Sequence, residues 1–155
     1  MRTRGFSIIE LVAVIAIVGA LAVFALPRLN IGGFERYAFR EELLSGLRYA
    51  QKTAMASGCD VAVALDAGTD SFALFYRNGG SATTCGGAGN AFGDPVQDPA
   101  GGGAFTRTGG SGADLQTGGQ LVFDGFGNHA AGPTQIDLAG GGPILVEDVT
   151  GYIHE

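Results

Sequence analysis

Two cysteines, two histidines and a scatter of carboxylates are the side chains in this 155-residue chain that could do chemistry, and their spacing limits what they can do. Cys59 and Cys85, 26 positions apart, can bridge to each other, stay as free thiols or act as a metal pair. A zinc site needs further ligands, and His129 and His154 fall in an apparent turn and in the tail without metal-ligand spacing, so no metal is expected. The acids Asp94, Asp98, Asp114 and Asp124 lack the spacing of a calcium loop. The stretch GGSATTCGGAGN is glycine-rich but has neither the lysine nor the following helix of a phosphate loop, and no GxSxG, HExxH or dinucleotide fingerprint stands in a suitable context. These absences predict a protein that is not an enzyme and needs no cofactor. One carboxylate stands apart: Glu10 is the only charge between Phe6 and Arg28.

The element that carries Glu10 is an apolar run. Phe6–Leu26 is 21 residues long, and as a helix rising about 1.5 Å per residue it would match the ~30 Å hydrocarbon core of a bilayer. A secretory signal has an apolar region of only about 7 to 15 residues, which this run exceeds. Arg2 and Arg4 precede it with no acid between them, so the positive-inside rule keeps residues 1–5 cytoplasmic and sends the rest of the chain across. A carboxylate inside such a run costs about 2.5 to 3.5 kcal/mol at the bilayer centre and less near the boundary, and an acid in the first helical turn gains from the helix dipole.

The text RGFSIIELVAVIAIVGALAVFALP resembles the type III signal of type IV pilins and type II secretion pseudopilins: a short basic leader, Gly5 before the cut, Phe6 after it, and a glutamate four residues on. The resemblance implies that a prepilin peptidase cleaves between Gly5 and Phe6 and that the new terminal amine of Phe6 is methylated. It also implies that Glu10 neutralises the amine of a neighbouring subunit during assembly, a role that fits the cost of leaving either charge unpaired in an apolar core. The implied organisation is a cleaved leader at 1–5, a hydrophobic transmembrane and filament-core helix at 6–28, and a periplasmic head at 29–155. The implied location is the inner membrane as a single-pass protein, then a pilus or pseudopilus. The implied partners are the peptidase, other pilin or pseudopilin subunits and an inner-membrane assembly platform.

Pro27 lacks a backbone donor and should kink or break the helix where it stands. From Phe34 a helical period returns: Phe39, Leu43, Leu47, Ala50 and Ala54 fall on one face and Glu41, Ser45, Arg48 and Lys52 on another, with Gly58 suited to a C-terminal cap. The expectation is one curved or kinked helix from Phe6 to about Ser57, half in the membrane and half amphipathic over 34–57. Beyond it, CDVAVALD and SFALFYR alternate as a hairpin, with Val61, Val63 and Leu65 facing as Phe72, Leu74 and Tyr76 do. Residues 79–112 hold 12 glycines and should be irregular, apart from a short strand at 104–108. QLVFD, TQIDL, ILVED and the tail restore strand pattern, with GFGN and AGGGP as turns. The expected fold class is α+β and pilin-like, a long N-terminal helix packed on an antiparallel sheet. Both cysteines lie beyond the apolar span, where disulfides form, so a Cys59–Cys85 bridge is the default expectation, joining the helix end to the loop after the second strand.

LVFDGFGN, the cysteine pair and the closing TGYIHE resemble the branch that holds the MSHA-type minor pilins and the H-type pseudopilins. The expected function is therefore a minor pilin acting in filament assembly or initiation, with a type II secretion minor pseudopilin as the alternative. A DNA-uptake minor pilin of the FimT type is a third reading. Phosphate neutralisation needs clustered Lys and Arg, whereas without residues 1–5 the chain has 7 basic and 15 acidic residues, a charge of −8, and beyond Ser57 only Arg77 and Arg107 are basic. Nucleic acid is not an expected partner.

Overall fold

The computed structural model describes residues 7–25 and 31–155 except 111, with side chains described for 7–21 and from 33 onward. The chain divides into two compact units, Met1–Ile31 and Gly32–Glu155. The first contains helix α1, Ile8–Ala25, whose first turn closes on the Ser7 carbonyl through the amides of Glu10 (3.0 Å) and Leu11 (3.1 Å). The second begins within helix α2, Ile31–Ser57, and holds all the strands.

This overturns the expectation of one long helix. The fold is α+β, dominated by antiparallel sheet, and the described residues form two helices, Ile8–Ala25 and Ile31–Ser57, in place of the single helix expected from Phe6 to about Ser57. The sequence supplies a physical reason in its Leu-Pro pair at 26–27: the residue before a proline disfavours the helical region, and a proline lacks a donor and clashes with the preceding turn. α1 stops at Ala25, immediately before that pair. Leu26 and Pro27 themselves lie outside the described residues. Among the described residues, no helix is long and apolar enough to cross a membrane.

Within the head, α2 buries Phe39, Leu43, Leu44, Leu47, Ala50 and Ala54. Glu41, Ser45, Arg48 and Lys52 are exposed, as the sequence spacing requires. The helix ends at Ser57, and Gly58 takes a φ of 66°, a left-handed cap conformation that glycine adopts without a Cβ penalty.

The sheet that receives this face is built on the hairpin β1 (Val61–Asp66) and β2 (Ser71–Arg77), in register from Val61 opposite Tyr76 to Asp66 opposite Ser71. Its turn is fastened by the Asp66 carboxylate, which accepts from the Gly68 amide at 2.8 Å, and Asp70 sits at a φ of 49°. β3 (Phe92–Pro95) and β4 (Thr106–Thr108) both pair with β2, and β5 (Gly119–Phe123) pairs with the other edge of β1 and carries β6 (His129–Ala131). A second antiparallel sheet has the order β7 (Gln135–Ile136), β8 (Ile144–Val146), β9 (Ile153–His154). Val61, Val63, Leu65, Phe72, Leu74 and Tyr76 are all buried, and Ile136, Ile144, Val146 and Ile153 of the second sheet join the same core.

Candidate functional site

α1 is apolar around its whole circumference, and every described residue from Ser7 to Leu21 is exposed. Ile8 is 83% and Leu21 64% exposed. A helix that is hydrophobic on all sides is ordinarily covered on all sides. Glu10 is the one charge on it and stands in its first turn, where the amide dipoles favour an anion. Gly5 and Phe6 lie outside the described residues.

The head presents a second kind of surface, along the C-terminal half of α2. On one flank Gln51 donates through Nε2 to the carbonyls of Gly127 (2.8 Å), Gly151 (3.1 Å) and Thr150 (3.3 Å), so one side chain holds the β5–β6 turn and the approach to β9 to the helix. Arg40, further back on α2, pairs through Nε with Glu155 at 3.3 Å and donates to the Gly142 carbonyl, which ties down the chain end.

On the other flank a groove of about 660 Å³ opens between α2 and the glycine-rich segment. Its helix wall carries Tyr49, Lys52 and Thr53, its floor Tyr76 of β2, and its far wall Gly80 to Thr83 with Pro95 to Gln97. Tyr49 is fixed from two sides. Its ring stacks on Phe105 with centroids 5.3 Å apart, and its hydroxyl donates to the Gln97 carbonyl at 3.1 Å. Arg107 lies over the opposite ring, Phe105, at 4.4 Å, and is itself held by Asp98 (2.7 Å) and Glu42 (2.9 Å). The Arg107 guanidinium, followed by the Ala100 amide, keeps the Asp98 carboxyl below its ordinary range. Burial pushes the Tyr76 phenol up, with the neighbouring Tyr49 adding to it, so Tyr76 remains a protonated donor at neutral pH.

The far wall is held by a disulfide. Cys59, at the start of the sheet, is bonded to Cys85 of the glycine-rich segment, with Cα atoms 5.1 Å apart, and there are no free cysteines. The Asp94 carboxylate adds two backbone bonds, from the Gly79 and Gly80 amides, the second at 3.2 Å.

The remaining sequence candidates do not converge. His129 Nδ1 is 3.2 Å from Asp148, with its side chain 6% exposed, while His154 pairs with Glu147 at 3.3 Å. Among the described residues no group of three or more His, Cys, Asp or Glu is placed to hold a metal ion. Asp124 fastens its own turn, accepting from the amides of Phe126 and Asn128, both at 2.9 Å. Burial works to raise its pKa, but the Asn128 bonds and those from Phe126 and Gly127 outweigh it and hold the carboxyl low. The groove was not visible in the sequence, since its lining comes from α2, β2 and two loops that share no motif. No family model, curated protein or solved structure matches the chain.

Proposed function

We propose that the chain is a filament subunit of the type IV pilin class, a minor pilin of the MSHA-like kind that takes part in assembly or initiation after processing between Gly5 and Phe6. The observation that carries this reading is Glu10 standing as the lone charge on an exposed, all-round apolar helix, four residues after the processing junction. An apolar surface of that extent on a single helix is an interaction surface. Copies of the same helix from neighbouring subunits would cover it, and the α-amino cation of Phe6 from one subunit would neutralise Glu10 of the next. That pairing removes two isolated charges from an apolar environment, each of which would otherwise cost several kcal/mol.

In this reading the apolar segment holds the protein at the inner membrane before assembly, and the head stands on the periplasmic side, where the Cys59–Cys85 bridge forms. Its partners are the prepilin peptidase, other subunits of the filament and the inner-membrane assembly platform.

Intact mass and N-terminal sequencing of the membrane-extracted protein test the reading directly. The expected result is a chain that starts at Phe6 and carries one methyl group, a gain of about 14 Da. A start at Met1, or a cut near Ala25 at the far end of the apolar run as a secretory signal peptide would undergo, sinks the filament role.

A further inference from the structure

The groove beside α2 has a lining unlike the rest of the molecule. The chain carries 15 acidic residues and an overall charge of −6, yet no carboxylate lines this groove. The acids near its far wall are already committed, Asp94 to the amides of Gly79 and Gly80, and Asp98 to Arg107 and the Ala100 amide. Lys52 faces the groove with no ion-pair partner among the described residues. Tyr76 is 5% exposed, lines the groove, and makes no side-chain hydrogen bond among the described residues. An ammonium with no ion-pair partner, the solvent-accessible hydroxyl of the otherwise buried Tyr76, the hydroxyls of Thr53, Ser81 and Thr83 and the amide of Gln97 therefore share one concave surface.

We propose that this groove binds an anionic saccharide, one or two sugar rings bearing a carboxylate. Its volume lies within the ~300 to 1,000 Å³ of small-molecule sites. Tyr49 supplies an aromatic surface already immobilised by the Phe105 stack, so its ordering is not a cost of binding. The hydroxyl and amide groups donate to and accept from ring hydroxyls, and Lys52 takes the carboxylate. An acidic head repels anions generally, so attraction must come from this local cation together with the neutral donors around it. The Cys59–Cys85 bridge holds the wall that includes Ser81 and Thr83, which makes the site depend on oxidation of that pair. The site stands independently of the filament reading.

Full-length protein in detergent is titrated with N-acetylneuraminate, with glucuronate, with uncharged N-acetylglucosamine and with acetate, and binding is followed by calorimetry. The two acidic sugars are expected to bind with Kd on the order of 1 mM or tighter, at least about tenfold better than N-acetylglucosamine or acetate. Lys52→Gln should remove that preference, leaving the acidic and neutral sugars equal. Tyr76→Phe, which changes one hydroxyl and leaves the ring in the core, should weaken both while the melting temperature stays within a few degrees of wild type. Reductant should abolish binding. Equal affinity for acetate and the acidic sugars, an unchanged preference in Lys52→Gln, or no binding by either acidic sugar at 10 mM would each overturn the proposal.

Discussion

The Phe72 ring lies against the backbone of α2 at Gly46, where a Cβ would stand 2.9 Å from Phe72 Cζ and closer still to its Cε2. The helix has no side chain at this position, and the sheet uses the gap to bring its largest buried residue under the helix. Phe72 then touches Phe39 (6.0 Å between centroids) and Phe105 (6.1 Å), so it links the α2 face to the stack that fixes Tyr49. A glycine inside a helix costs about 0.5 to 1 kcal/mol relative to alanine, which this close approach offsets.

Gly46→Ala should therefore destabilise the protein even though it raises helix propensity. Overpacking of a filled core costs about 1 to 3 kcal/mol, so the net expected loss is about 1 to 2 kcal/mol, read as a lower urea midpoint at unchanged slope. A gain in stability would show that Phe72 moves aside freely. Pairing the change with Phe72→Leu, which removes the obstructing ring edge, should make the combined loss smaller than the sum of the two single losses.

The Cys59–Cys85 bridge closes a loop across 26 positions between the sheet and the glycine-rich segment. Chain-entropy arguments give about 3 kcal/mol for a loop of that order. The melting temperature should fall on reduction, and the Cys59→Ala, Cys85→Ala double variant should melt at the reduced value and ignore reductant. If reductant lowers the double variant by the same amount as wild type, the loss has another origin.

Three carboxylates lie below their ordinary range: Asp66 through Thr69 and the Gly68 amide, Asp98 through Arg107, and Asp124 through the bonds that outweigh its burial. A folded-state pKa depressed below the unfolded value stabilises the fold above the unfolded pKa, and that contribution disappears as pH falls through the folded value. Stability should thus be level from neutral pH down to about 4 and then drop steeply. Asp124→Asn keeps the size of the side chain and removes its titration, so its acid limb should be shallower than that of wild type. Asp124→Ala should cost about 1 to 2 kcal/mol at pH 7 through the loss of its turn bonds. An unchanged acid limb in Asp124→Asn would assign the effect to the other two.

The elements most legible in the sequence are those whose pattern is local. The alternation in CDVAVALD and SFALFYR places six side chains inward, and the α2 stripe from Phe39 to Ala54 is read at its helical period. β3 escaped because Phe92–Pro95 is four residues with a glycine and a proline, paired at one edge of β2, and carries no apolar alternation. β6 escaped because His129–Ala131 follows a turn and has no side chain with a strong strand preference. TQIDL reads as a five-residue strand yet forms only Gln135–Ile136, since the Leu115 and Leu138 bridge and the Thr117 hydroxyl on the Asp137 amide take over beyond it. The sequence marks Pro27 as a kink or break without saying which, and the apolar run and the amphipathic stripe on either side of it suit one kinked helix as well as the two helices, Ile8–Ala25 and Ile31–Ser57, that form. The groove was illegible because its chemistry depends on which loops the disulfide and Arg107 bring to α2, a matter of tertiary placement.

Glu10 provides the sharpest test of function, because its position on α1 separates assembly from everything the head does. It is exposed and makes no side-chain bond or ion pair among the described residues. Glu10→Ala should leave expression, processing and the melting temperature of the protein unchanged, while incorporation into filaments falls severely. Glu10→Gln keeps the side-chain volume and most of its hydrogen-bonding capacity but not the charge, so a charge-pairing role predicts that it fails as well. Immunodetection of the protein in sheared filaments, against its level in the membrane fraction, measures both. Normal incorporation of Glu10→Gln would eliminate pairing with the Phe6 amine, and normal incorporation of both variants would remove Glu10 from assembly. Loss of both variants from the membrane fraction would instead place Glu10 in targeting or insertion, upstream of any filament.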